Sequence, residues 1–374
     1  MIPFIRPNPP KLSELTEELL KLEQSGVFSN FGPQNTLFEQ QILTKLFEGQ
    51  GSVLTVCNAT IGLMLALKEA TAARDDKKKY VLIPSFTFAA TAQAAIWCGF
   101  TPILYDIDPH YWLPDKQQEL RLLKKYREQI AAVIPYATFG NCLDVKHYEE
   151  IVNSFGVPVV IDAAASLGTV EDKCGRGFGS GTSIASVFSM HVTKTFSTSE
   201  AGLIYSSDTE KIKRLKIMAN FGFDRPRDAG MIGLNAKLSE IGALLAIAKL
   251  KDLDDVVRKR MKLHKHYLDQ LPQFLFQSQN SKVMAHQFMP CLLPEGMASK
   301  RDIIVEYLTK KEIGAAKYFS PHLAEQRYFQ SVCVAEPMPV TDDISRRILS
   351  LPLYDTMSIA DVMTVCKSVT ELLN

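Results

Sequence analysis

SVLTV at 52–56, YVLIP at 80–84 and TPILYD at 101–106 are short runs of β-forming residues, and each precedes a segment with the length and periodicity of a helix. The series continues with AAVIPY at 131–136, VPVVID at 157–162, IASVFSM at 184–190 and GLIYS at 202–206. Strands that alternate with helices predict an α/β fold with a mostly parallel sheet covered on both faces. Ligands of such sheets gather at the carboxyl ends of the strands, so we expect functional residues directly after these runs.

The chain is long enough for two domains, because its 374 residues exceed the roughly 150 of a typical domain. Beyond residue 206 the sequence becomes helical and then mixed, with β-like pieces such as VMAHQFMPCLL at 283–293. We therefore predict a large domain over residues 1–250, which includes the N-terminal segment, and a smaller C-terminal α/β domain over residues 251–374.

Charge and composition narrow the class of protein. The 42 Lys and Arg residues against 41 Asp and Glu leave a net charge of +1, so there is no basic excess for a nucleic-acid partner. A hydrophobic fraction of 46% and a charged fraction of 22% are typical of a globular enzyme.

The seven cysteines stand far apart without a CxxC pair, a pattern that favours neither a disulfide framework nor a metal site and indicates a reducing compartment. The N-terminal MIPFIRPNPP does not resemble a signal peptide, and no apolar run approaches the roughly 20 residues that cross a bilayer. We expect a cytoplasmic protein with no membrane contact.

Two polar residues stand at the ends of predicted strands. Asp162 ends VVID, where its carboxylate could hold a protonated ring nitrogen or, alternatively, cap a helix over the following alanines. Lys194, in SMHVTKTF at 189–196, follows the next strand, and lysine suits Schiff-base formation with an aldehyde. An aldehyde cofactor that needs a carboxylate at its ring nitrogen is pyridoxal 5′-phosphate (PLP).

Two further motifs fit this cofactor. In NATIGLMLAL at 58–67 a helix opens after a strand with the small residues Ala59 and Thr60, so its N-terminal N–H groups could bind a phosphate. In PSFTFAATA at 84–92 the ring of Phe88 could stack on a planar cofactor. Each motif alone is more typical of an ordinary capped helix or of a core aromatic.

Taken together, these segments resemble the DegT/StrS-type nucleotide-sugar aminotransferases, which are PLP-dependent enzymes of fold type I. The similarity extends along most of the chain and includes FGPQNTLFE at 31–39, YATFGNCLDV at 136–145, NAKLSEIGALLAIAKL at 235–250 and LSLPLYDTM at 349–357. The resemblance implies a mostly parallel, seven-stranded type of sheet in the large domain.

The resemblance also implies roles for individual residues. Lys194 is similar to the lysine that binds the cofactor and moves the proton, Asp162 to the acid that pairs with the ring nitrogen, and Phe88 to the stacking aromatic. Phosphate contacts are implied for Ala59, Thr60 and Ser189. A further phosphate contact is implied for Asn235 of the neighbouring subunit, so the resemblance also implies a homodimer with shared active sites.

Three positions leave alternatives open. His191 could contact a cofactor oxygen or orient the turn around Lys194. Ala165 stands in the cofactor site where the family often has Gln, so a hydrogen bond to the phenolic oxygen is missing or comes from another residue. Glu240 matches a frequent glutamate of the family, and we favour a structural ion pair for it.

The implied activity is transfer of an amino group, from L-glutamate, to the C3 or C4 keto group of a dTDP- or UDP-linked deoxysugar for surface polysaccharide or amino-sugar biosynthesis. Related dehydratases carry His in place of Lys194, which favours an aminotransferase. Substrate contacts are implied for Asn30, Phe31, Tyr318 and His322. The alternatives are a PLP-binding regulatory protein and a PLP-dependent lyase or dehydratase of the same fold.

Overall fold

A computed structural model describes residues 1–73, 77–171 and 175–373, and Cys174 lies outside the described residues. The strands in chain order are β1 (Ser52–Val56), β2 (Tyr80–Pro84), β3 (Thr101–Tyr105), β4 (Ile130–Val133), β5 (Val160–Asp162), β6 (Val170–Glu171), β7 (Ala185–Ser189), β8 (Gly202–Ser206), β9 (Phe223–Arg225), β10 (Asp228–Ala229), β11 (Leu275–Phe276), β12 (Ser281–Val283), β13 (Met289–Leu292), β14 (Val334–Ala335) and β15 (Ile348–Leu351). The α-helices are α1 (Thr16–Ser25), α2 (Pro33–Phe47), α3 (Ala59–Ala70), α4 (Ala89–Trp97), α5 (Lys116–Tyr126), α6 (Val145–Phe155), α7 (Thr209–Met218), α8 (Glu240–Gln270), α9 (Arg301–Lys310), α10 (Arg327–Val332), α11 (Pro339–Arg347) and α12 (Ile359–Thr370).

The seven predicted β runs form the large sheet, which confirms the α/β fold class. Its strands lie in two groups, β1-β8-β7-β5 and β4-β2-β3, and β14 extends the second group at β3. Parallel bridges from Val133 to Val159 and from Tyr136 to Asp162 join β4 to β5 and make the two groups continuous. Only β8 runs antiparallel to its neighbours in this sheet. The carboxyl ends of β5 and β7 therefore lie side by side.

Both faces of the sheet are buried, which explains why its strands are apolar without a clean alternation. One face packs against α2, α5, α6 and α8 through side chains such as Phe38 and Leu122. The other face packs against α3, α4 and α7 through side chains such as Leu63 and Leu215. This double cover fixes the strand ends from which the polar residues project.

The C-terminal region has its own antiparallel sheet, β11-β13-β15, packed with α9 and α12. Helix α8 reaches into both units, because Leu253 packs in the large core and Tyr267 in the small one. The Ala-rich segment before residue 250 and the charged segment after it form one continuous helix, α8, so the predicted domain boundary falls within a helix. The bounds of the two domains stay a prediction.

The helices of the described residues include none with the length and hydropathy needed to span a bilayer. The same part of the chain holds no group of three His, Cys, Asp or Glu side chains arranged to bind a metal ion.

Glu240 joins the two longest helices at their N-termini. Its Oε2 accepts a hydrogen bond from the backbone N–H of Gln34 at 2.7 Å, and its Oε1 accepts one from Asn35 at 3.1 Å. The N-cap of α2, Gly32, has no side chain to do this. The sequence favoured an ion pair for Glu240, whereas its hydrogen-bond partners in the structure are backbone N–H groups.

Glu240→Ala should lower the free energy of unfolding by about 2 to 3 kcal/mol, because it leaves two N–H groups at a buried helix end without their charged acceptor. Urea unfolding followed by circular dichroism measures the loss. Glu150→Ala, on the exposed face of α6, is the matched control and should change stability by less than about 0.5 kcal/mol. Equal stability of the two variants would contradict the capping role.

Candidate active site

A cavity of about 560 Å³ opens at the carboxyl edge of the large sheet. Its wall combines the start of α3, the end of β5, the turn between β7 and β8, and two segments of the C-terminal region. The residues named from the sequence that line it are Ala59, Thr60, Phe88, Asp162, Ser189, His191, Lys194 and Tyr318. The fold thus brings into one cavity residues that are up to 259 positions apart (318 − 59).

Asp162 is the last residue of β5 and is only 3% exposed. Its Oδ2 accepts a hydrogen bond from Oγ1 of Thr91 at 2.6 Å, and its Oδ1 accepts one from the N–H of Ala164 at 3.1 Å. Burial raises the pKa of the carboxyl, and these two hydrogen bonds with the charge of Lys194 counteract it. Turns rather than a helix follow Asp162, so it is not a helix N-cap.

Lys194 lies in the tight turn that connects β7 to the antiparallel β8. Backbone hydrogen bonds from Val192 to Ser199 and from Thr198 to Met190 close this turn, at 2.9 and 3.0 Å. The Nζ of Lys194 donates a hydrogen bond to Oε1 of Gln287 at 3.1 Å. Desolvation lowers the pKa of Lys194 to about 8, against the opposing attraction of Asp162. A lysine with this pKa is partly neutral near pH 8 and can act as a nucleophile or base.

His191 faces the cavity and is also held within the turn. One ring nitrogen, Nδ1, lies 2.8 Å from Oγ1 of Thr193, and the other, Nε2, lies 3.3 Å from Oε1 of Glu200. These contacts support the orienting role that the sequence left open, while the ring keeps a face on the cavity.

The N-terminus of α3 forms the part of the wall suited to an anion. The Asn58 side chain caps it by accepting from the N–H of Ile61 at 2.9 Å, so the N–H groups of Ala59 and Thr60 remain in the open first turn. A Cβ on Gly202 would lie 2.7 Å from the Asn58 carbonyl carbon, so only glycine allows this close approach of α3 to β8.

Aromatic residues form the opposite wall. The side chain of Phe88, at the N-cap of α4, is 57% exposed and faces the cavity. Several residues of this wall were not found by sequence reasoning, namely Tyr136, Phe139, Gln287, Phe288 and Phe319. A signal for two of them was present, because HQF in VMAHQFMPCLL places a polar residue and an aromatic directly before a β run.

Five of the residues named from the sequence do not line the cavity. Ala165 is buried behind it, and Ala164 takes its place at the wall. His322 is 1% exposed, with its Nδ1 2.8 Å from Oγ of Ser85 and its Nε2 3.0 Å from Oδ1 of Asp342, so its ring is committed within the fold. The remaining three lie on loops outside the wall, and these are Asn30, Phe31 and Asn235.

The residues present fit PLP. A buried carboxylate, an amine of lowered pKa and the open N-terminus of α3 line one cavity, and these are the groups that a pyridinium nitrogen, an aldehyde and a phosphate require. The sheet order and this site define a PLP-dependent enzyme of fold type I.

Comparison with known proteins identifies the family. Residues 11–370 match the model of the DegT/DnrJ/EryC1/StrS aminotransferase family, and the chain belongs to this family. A crystal structure from Bacillus cereus, assigned as a PLP-dependent aminotransferase, is 38% identical with a TM-score of 0.92 and covers 99% of both chains.

Two similar proteins have sugar-related names. The crystal structure of DesI in the presence of its TDP-sugar product is 30% identical over 97% of this chain and 91% of that one, with a TM-score of 0.87. The dTDP-4-amino-4,6-dideoxy-D-glucose transaminase of Shigella dysenteriae is 27% identical, and the alignment covers 98% of both chains.

The cofactor-free chain should react with an amine-acylating reagent at Lys194 with a midpoint near pH 8, because burial disfavours the ammonium form. Above this pH the amine is neutral and reacts, and below it the proton blocks the reaction. Mass spectrometry of labelled peptides as a function of pH measures the midpoint. Exposed Lys21 is the internal control. Coincident midpoints at the two lysines would contradict the lowered pKa.

Proposed function

We propose that this enzyme transfers an amino group from L-glutamate to the C3 or C4 keto group of a dTDP- or UDP-linked deoxysugar, for surface polysaccharide or amino-sugar biosynthesis. The observation that carries the proposal is that Lys194 and Asp162 share one cavity with the N-terminus of α3. The names of the Shigella transaminase and of DesI with its TDP-sugar product support the choice of substrate class.

In this proposal, bound PLP supplies the electron sink that stabilises negative charge on the substrate carbon. Asp162, at the end of β5, would pair with the ring nitrogen and keep its proton in place. Ala59, Thr60 and Ser189 would hold the phosphate, and Phe88 would stack on the ring. Lys194 moves the proton at its Nζ, for which a pKa of about 8 is well matched to neutral conditions.

The part of the wall formed by Phe288 and Tyr318 suits the sugar part of the substrate. Tyr318 stacks against Phe288 with ring centroids 5.3 Å apart, and both face the cavity. Such a wall can pack on the apolar face and the methyl group of a deoxysugar, while the Tyr318 hydroxyl can form a hydrogen bond with the sugar.

Among the described residues that line the cavity, Lys194 is the only lysine or arginine. The diphosphate therefore binds farther out, and Arg225, Arg227 and Lys237 are candidates for this contact.

We infer a homodimer in which the partner completes the site. Asn235, which the family resemblance assigns to the neighbouring subunit's phosphate, is exposed on this chain. Large apolar residues near Asn235 in the sequence are also exposed: Phe221 is 46% exposed, Ile232 63% and Ile241 41%. Exposed apolar residues in such number favour a protein interface. The seven scattered cysteines indicate a reducing compartment, so we place this dimer in the cytoplasm.

Ile232→Asp should shift the dimer toward monomer, because it places a charge in an apolar interface. Analytical ultracentrifugation over a range of protein concentrations measures the change. Ile303→Asp, at a residue that is 58% exposed on α9, is the matched control and should stay dimeric. A wild-type monomer at all concentrations would contradict the shared site.

Lys194→Ala should abolish turnover, with a loss of at least about a thousand-fold, and remove the visible absorption band of the lysine-bound cofactor. The assay incubates holoenzyme and L-glutamate with nucleotide-linked 3-keto and 4-keto sugars and measures 2-oxoglutarate. Lys21→Ala, an exposed lysine on α1, is the control and should be fully active.

The same assay separates the alternatives. Cofactor binding without turnover of any sugar would favour a regulatory protein. Consumption of the sugar without formation of 2-oxoglutarate would favour a lyase or dehydratase. Retained transamination in the Lys194→Ala variant would show that another lysine carries the reaction.

A further inference from the structure

Gln287 is the neighbour whose side chain contacts the Lys194 amine directly. Its Oε1 accepts a hydrogen bond from Nζ at 3.1 Å, and both side chains line the cavity. Gln287 belongs to the segment before β13, 93 residues along the chain from Lys194. This contact therefore depends on how the C-terminal region docks on the turn between β7 and β8.

The backbone around Gln287 is fixed from two sides. Nη1 of Arg260, on α8, donates hydrogen bonds to the carbonyls of His286 and Gln287, both at 3.1 Å. Arg260 is itself held by a buried ion pair with Asp355 at 3.1 Å. From the other side, Oγ1 of Thr195 donates to the carbonyl of His286 at 2.9 Å. Thr195 is adjacent to Lys194, so the amide and the amine are held in one rigid arrangement.

We propose that Gln287 is a positioning residue for the Lys194 amine: its amide oxygen directs the amine within the cavity and stabilises the proton that the amine carries during turnover. The proposal rests on the proposed function of Lys194. An amide oxygen suits this task, because it accepts a hydrogen bond from the ammonium but carries no charge that would retain the proton.

Other titratable groups line the same cavity as the Lys194 amine. Asp162 lies on β5, and Tyr136 follows β4. His191 and Glu200 lie in the same turn as Lys194, and Tyr318 belongs to the C-terminal wall. Each of them is unchanged in a Gln287 variant, so a shift in the titration of Lys194 reports the loss or change of the amide.

Two variants with opposite expected effects test the role. Gln287→Leu removes the acceptor and should lower the labelling midpoint of Lys194 in the cofactor-free chain by about one pH unit. Gln287→Glu keeps the shape but adds a negative charge, and should raise the midpoint by about one to three units. Gln41→Leu, at an exposed position on α2, is the control and should leave the midpoint unchanged.

The holoenzyme gives the second readout. Both Gln287 variants should lower kcat of amino-group transfer about ten-fold or more with a smaller change in KM, since the amine moves the proton after the substrate is bound. The pH profile of kcat should shift to higher pH in Gln287→Glu and to lower pH in Gln287→Leu. General loosening of the site would instead move both profiles in the same direction, so the two explanations are distinguished. Circular dichroism verifies that the variants are folded.

Unchanged labelling midpoints in both folded variants, or shifts of the same sign, would overturn the role of Gln287 while leaving the aminotransferase intact. Opposite shifts together with full transamination by Lys194→Ala would instead overturn the proposed function, because the amide would then position an amine that the reaction does not use. Opposite shifts in labelling and in the holoenzyme profile support the proposal.

Discussion

The site depends on two opposite charges that the fold withholds from bulk water. Burial raises the pKa of Asp162 and lowers that of Lys194, so each group alone is driven toward its neutral form, and their mutual attraction opposes this. A cofactor with a basic ring nitrogen offsets the cost of burying the Asp162 carboxylate, because it gives the carboxylate a cation to pair with. In the proposed function the lysine, in contrast, gains from a pKa near neutrality, because its amine must both bind an aldehyde carbon and exchange a proton.

The sheet is what makes this placement rigid. Asp162 is the last residue of β5 and Ser189 the last of β7, and the parallel pairing of Asp162 with Val187 fixes their relative height. The reversal of β8 then creates the turn that holds Lys194, and Gly202 at its start lets α3 approach closely enough to offer its N-terminus. Two strand ends, one turn and one helix end are therefore positioned by the same hydrogen-bonded ladder.

The sequence signal for Asp162 and Lys194 is local, because each residue follows an apolar run. The strand pattern places both at the carboxyl edge of the sheet, and the fold brings both into one cavity. Their roles in the reaction stay a prediction. Gln287 lies in a weak β pattern far along the chain, so nothing near it reveals that it reaches Lys194. His322 shows the opposite error, since its segment does approach the cavity through Tyr318 but its ring binds Ser85 and Asp342 within the fold. The predicted domain boundary at residue 250 falls within α8, because the composition changes there from Ala-rich to charged while the helix continues.

These observations separate the chemistry of the site from its selectivity. The strand ends, the β7–β8 turn and the N-terminus of α3 supply the carboxylate, the amine and the proposed phosphate contacts, whereas the C-terminal region supplies the wall formed by Gln287, Phe288 and Tyr318. Arg260 of α8 and Thr195 of the β7–β8 turn both donate to the carbonyls of this segment, so its position depends on the docking of α8 as well as on the sheet. If the proposed function is correct, substitutions at Phe288 or Tyr318 should change which sugar fits while Asp162 and Lys194 stay in place. Gln287 belongs to the C-terminal wall and contacts the Lys194 amine, so it links the two parts of the site.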